Sequence, residues 1–136
     1  MQVQFYEEIE DQLLKFAVII SKCQNKWVFC KHKLRDTFEI PGGHREENEN
    51  ILETAKRELY FKIKPICVYS VIGKNRVNDT GEEFYGMLYY ADIYSFEENL
   101  HSEMEKIVLF NELPNLWTYP EIQPKLIEYY INLENK

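Results

Sequence analysis

The chain has 136 residues, enough for one domain with a real core, and its 45% apolar share is that of a globular protein. A formal charge of -7 excludes broad attraction to a nucleic-acid polymer, although an acidic chain still binds a single nucleotide when a divalent cation screens the phosphates. No signal-peptide pattern opens the sequence and no apolar run approaches a membrane span, so a cytoplasmic protein is expected.

In chain order, Phe16 to Ser21 and Lys26 to Lys31 are β-rich runs around "CQNK", the pattern of a hairpin. Cys23 and Cys30 can face each other across it, but with Cys67 they are odd in number and lack ligand spacing, so buried free thiols are the expectation. Phe38 to Ile40 is a short strand ended by Pro41 and a Gly42-Gly43 turn. A helix is predicted over about 48–60, with Ile51, Leu52, Ala55 and Leu59 on one face. Pro65 to Ile72 and Glu83 to Ile93 are strands joined by a polar hairpin loop, and Ile107 to Phe110 is another. Pro120 to Asn132 closes the chain as a helix, with Leu126, Ile127, Tyr130 and Ile131 towards the core. Hairpins interrupted by one helix and closed by another indicate an α+β fold with helices on a mixed sheet.

The chemistry concentrates in "IPGGHREENENILETAKRELYFKIKP", Ile40 to Pro65. Cleaving a phosphoanhydride needs cations against the phosphates and a base to activate water, and hard cations need converging carboxylates. On a helix, such carboxylates share a face at i, i+3 and i+4. Counted from Glu58, those positions hold Phe61 and Lys62, so one of three is acidic. Glu49, Glu53 and Arg57 are spaced four apart, which lets Arg57 pair with either glutamate; an ordinary surface pair explains that spacing equally well. The glycine pair is either a plain turn or a place where a backbone carbonyl approaches a metal closely.

These residues resemble the Nudix box, G-x5-E-x7-R-E-U-x-E-E-x-G-U with U aliphatic. Gly43, Glu49 and Arg57-Glu58-Leu59 stand at the box spacing, and "FEIPGGHRE" is similar to the usual entry W-x-L-P-G-G-x-x-E. "EKIVLFNELP" and "WTYPEIQPKL" resemble the C-terminal part of MutT-like, YtkD-type members, so the likeness spans roughly residues 15–130. It implies a Nudix-type α/β/α sandwich. It also implies hydrolysis of a nucleoside triphosphate, 8-oxo-dGTP among the oxidised ones, to monophosphate and pyrophosphate with Mg²⁺ or Mn²⁺. By the same likeness, Glu58 with Arg57 and Glu49 forms the catalytic set. Gly43, Glu58 and Glu105 are the metal candidates, with Glu103 an alternative to Glu105 and a solvated surface charge the competing reading for both. Phe38, Tyr85, Trp117 and Tyr119 are candidates to stack on a base, and a homodimer is compatible with the pattern.

The departure from the box is as informative. Its E-E-x-G-U tail falls on Phe61, Lys62, Ile63, Lys64 and Pro65. Either those positions are substituted in register, or a segment carrying E-E-x-G is deleted and "FKIKPICVYS" is the next strand. The abrupt strand pattern, with no Gly or Asn to cap the helix, favours deletion. A lysine about 6 Å from a divalent ion costs on the order of 5 kcal/mol at an effective permittivity near 20, less when it swings into solvent. Two functions follow: a Nudix pyrophosphohydrolase, or a catalytically silent Nudix domain that binds a nucleotide or a protein.

Overall fold

Gln24 and Asn25 both have positive φ, 52° and 65°, as the tight two-residue turn of a hairpin requires. They join β2 (Leu14–Cys23) to β3 (Lys26–His32), in the hairpin that "CQNK" predicts. The structure is a computed structural model that describes residues 2–32, 34–58, 63–74, 78–93 and 105–136, with the backbone alone at 57, 58, 105 and 106. The other described elements are β1 (Gln2–Tyr6), a 3-10 turn (Asp11–Leu13), β4 (Phe38–Glu39), β5 (Gly42–His44), α1 (Ile51–Glu58), β6 (Ile63–Ile72), β7 (Phe84–Asp92), β8 (Glu105–Phe110) and α2 (Gln123–Glu134).

All eight strands form one sheet in the order β1-β6-β7-β2-β3-β4, with β5 beside β2 and β8 beside β3. The β2–β7 pair is parallel and the rest are antiparallel, so the sheet is mixed as expected. Side chains alternate across a strand, which divides the core in two. Phe16, Val18, Ile20, Tyr69 and Val71 pack under α2 with its Leu126, Ile127 and Tyr130. Ala17, Ile19 and Val68 pack on the other face with Ile51 and Ala55 of α1. The result is an α/β/α sandwich.

Several expectations shift. The Gly42-Gly43 segment is not only a turn: it is strand β5, in register with Val18 and Ala17. β1, which the sequence pattern did not single out, covers the edge of β6. The first helix starts three residues late because Asn48 takes φ 64° and Asn50 caps instead. Asn50 Oδ1 accepts from the Glu53 amide at 2.8 Å and Glu53 Oε1 accepts from the Asn50 amide at 3.3 Å, a reciprocal capping box. Leu52, expected in the core, is 40% exposed, while Thr54 takes a buried place on the inner face. Ile131 is only partly buried. Cys23 lies opposite Lys26 and Cys30 opposite Glu39 and Ile107, so the two thiols do not face each other; with Cys67 they are buried and form no disulfide.

Candidate functional site

β5 pairs with the middle of β2, and this fixes the ground of the site. Ile19 donates its amide to the Pro41 carbonyl and Arg45 its amide to the Lys15 carbonyl, each at 2.8 Å. Gly43 lies opposite Ala17 between these two bonded pairs, so its backbone polar groups face β2; a carbonyl has a second lone pair beyond the ladder bond. Gly42 is required here for a steric reason. A Cβ at this position would run into the Ala17 carbonyl.

Beside the glycines, on the α2 face, is a cavity of about 110 Å³. Phe16, Val18 and Tyr69 line its sheet side, and Ile40, Tyr119 and Gln123 the other. The Phe16 and Tyr69 rings lie nearly parallel, with centroids 6.3 Å apart and planes 25° apart. They close over Gly86, where a Cβ would come within 2.7 Å of both. Burial, with the Tyr119 hydroxyl nearby, pushes the Tyr69 phenol well above its ordinary range, so it stays protonated. Gln123 is 6% exposed, and its Oε1 accepts from the Ile40 amide at 2.7 Å. An apolar cavity of roughly 150 Å³ accommodates benzene, so this space is on the scale of one planar ring.

The other face carries the acidic loop. One Glu49 oxygen accepts from the Glu46 amide and from the Thr54 hydroxyl, both at 2.8 Å. Arg45 Nε donates to the Glu49 carbonyl at 2.8 Å, and its guanidinium pairs with Asp11 at 2.8 Å. Glu49 therefore holds the loop into α1. Among the described residues, no group of three or more His, Cys, Asp or Glu side chains could hold a metal ion. The described carboxylates do not by themselves fit Mg²⁺, because no three of them converge on one point.

The predicted site residues divide accordingly. Gly43 and Tyr119 line the cavity. Glu49 stands at the entry to α1, and Arg57 and Glu58 occupy its last turn, with side chains outside the described residues. The expected contact of Arg57 with Glu49 or Glu53 lies outside them too. Glu105 opens β8 opposite His32, its side chain likewise not described, and Glu103 falls outside the described residues altogether. The remaining aromatic candidates lie away from the cavity. Phe38 packs edge-on to Phe110 at 4.9 Å, and Trp117 edge-on to Phe29 at 5.4 Å. Tyr85 is on the α1 face, 5.9 Å from Tyr6. Each ring takes its place from packing, which sequence position alone does not reveal. Gln123 was not singled out, although it sits three and four residues before Leu126 and Ile127, one amide on an apolar helical stripe.

The junction at 59–62, where the box breaks off, lies outside the described residues. Ile63, Lys64 and Pro65 belong to β6, opposite Ala91, Tyr90 and Tyr89, so positions that the box assigns to its tail are strand. The strand begins two residues earlier than its pattern predicts.

No family model matches this sequence, and no curated protein matches it. Solved structures do. The chain is similar to the Bacillus subtilis pyrophosphohydrolase BsRppH, solved as a mutant, with TM-score 0.75, 25% identity, and 98% of this chain and 90% of that one covered. A Nudix hydrolase from Nitrosomonas europaea matches with TM-score 0.63 at 14% identity, over 88% of this chain and 89% of that one. The Nudix domain of Shewanella oneidensis NrtR, in complex with ADP-ribose, matches with TM-score 0.59 at 12% identity, over 86% and 88%. The chain has the Nudix fold.

Proposed function

We propose that this chain is a Nudix pyrophosphohydrolase that converts a nucleoside triphosphate to its monophosphate and pyrophosphate, with 8-oxo-dGTP the first substrate to try. One observation carries the reading: a ring-sized cavity with an aromatic wall opens beside Gly42-Gly43, in a chain matched over 98% of its length to a pyrophosphohydrolase. In this reading Tyr119 and Tyr69 hold the base and exclude water from it. The strand β5 lets phosphates approach a backbone without side chains at Gly42 and Gly43. Glu58 is the catalytic carboxylate, with Arg57 and Glu49 as positioning residues. Mg²⁺ or Mn²⁺ supplies charge neutralisation at the phosphates when bound. Its ligands in this proposal are Glu58, Glu105 and the free lone pair of the Gly43 carbonyl, since the described carboxylates do not suffice.

The test is pyrophosphate release from 8-oxo-dGTP, dGTP and ATP, in Mg²⁺ and in chelator. Release that needs the metal and drops at least ~100-fold in Glu58→Gln is the expected result, the scale of losing a catalytic carboxylate. Release unchanged by chelator would sink the metal centre. A second reading, a silent domain that binds a nucleotide, is favoured by the engaged carboxylates of the acidic loop. It predicts calorimetric binding with no release under either condition.

A further inference from the structure

The Gln123 residue is 6% exposed, and the Ile40 amide fills one of the four hydrogen-bonding positions of its side-chain amide. Because the Ile40 amide is a donor, the atom facing it must be Oε1, which settles the orientation of the side chain. Nε2, with two hydrogens, then has no hydrogen-bond partner among the described residues. The Tyr69 hydroxyl, on a residue 3% exposed, has none among them either, and both residues line the ring-sized cavity. Buried donors without partners are uncommon, and a ligand that satisfies them gains what the empty protein lacks.

We infer that Gln123 is a specificity-determining residue that reads a carbonyl on the edge of a planar ring and so selects oxo-bases over amino-bases. The inference rests on the nucleotide reading above. An amino group at the same ring position would set donor against donor. The amide cannot flip to relieve this without turning its NH₂ onto the Ile40 N–H. The chemistry is shared by 6-oxopurines and by 4-oxopyrimidines, and the Tyr69 hydroxyl can serve a second polar atom of either ring.

The experiment is equilibrium binding of mononucleotides, which carry no phosphoanhydride to cleave. IMP and AMP differ at the 6-position by oxo against amino, and UMP against CMP gives the pyrimidine comparison. IMP is expected to bind roughly tenfold or more tightly than AMP, the scale of one satisfied against one opposed hydrogen bond. Titration should shift the Gln123 side-chain NH₂ resonances in a nitrogen–proton correlation spectrum. Gln123→Glu keeps an acceptor for Ile40 and replaces the free donor with an acceptor, so the preference should reverse towards AMP. Should that variant fail to fold, the wild-type ratio and the Gln123 resonances decide alone. Equal binding of IMP and AMP, or a ratio unchanged in a folded Gln123→Glu, overturns the inference and leaves the nucleotide reading standing. Binding of no mononucleotide at millimolar concentration overturns both.

Discussion

The two faces of the sheet treat their polar groups differently. On the α1 face, acids are consumed locally. Glu49 closes the loop, Glu53 caps the helix, Asp11 holds Arg45, and Glu83 accepts from Ser70 and Tyr6, each at 2.6 Å. On the α2 face, Gln123 and Tyr69 are more buried, yet part of their capacity is unmet inside the protein. Under the proposed reading, charge density is thus a poor guide to where a ligand would be recognised. Unsatisfied burial is a better one, since a buried donor without a partner costs free energy that a ligand can recover.

The largest test of this contrast is at the strand between the faces. Gly42→Ala drives a methyl into the Ala17 carbonyl, and overpacking of that kind costs ~3 kcal/mol. Urea unfolding should show that loss, and nucleotide binding should fall with it as β5 detaches. Preserved binding in a destabilised Gly42→Ala would separate the cavity from the glycine strand.

Next comes the acidic loop. Glu49→Ala leaves the Thr54 hydroxyl and the Glu46 amide without their shared acceptor, at a cost of about 2 kcal/mol. The contrast requires the loss to appear in stability while the ratio of IMP to AMP affinity stays within twofold. A tenfold change in that ratio would show that selection of the base depends on the acidic loop.

The pH dependence comes third. Hydrogen bonds from Ser70, then Tyr6, lower the Glu83 pKa below the usual carboxylate range. A lowered folded-state pKa contributes stability above the unfolded pKa and loses it as pH falls through the folded value. Acid titration of stability should therefore be shallower in Glu83→Gln at the low-pH end, with IMP binding unmoved at neutral pH. An identical acid limb would remove Glu83 from the set of consumed acids.

The smallest effect is expected at the Asp11–Arg45 ion pair, whose side chains are 49% and 21% exposed. Asp11→Asn should change stability by no more than about 0.5 kcal/mol, and salt should erase the difference. A loss several times larger would mean that the backbone amide of Ile51, which also donates to Asp11, depends on the charge.

Much of the fold was legible in the sequence, because alternation and helical periodicity report which face of an element is apolar. "CQNK" predicts a hairpin, and the spacing of Leu126, Ile127 and Tyr130 predicts the inner face of the last helix; the structure has both. The box spacing also pointed to a Nudix sandwich, which the fold confirms. Tertiary structure alone decided which aromatic ring stands where. Phe38, Tyr85 and Trp117 satisfy themselves against neighbouring rings, whereas Phe16 and Tyr69 meet across Gly86 from strands that flank β7. It also decided that Gln123 meets the Ile40 amide, 83 positions earlier in the chain. Local patterns come from neighbours a few residues away, so a sequence shows them directly. A cavity is made by residues that only the completed sheet and helix bring together, and the partner that each polar atom finds or lacks is settled there.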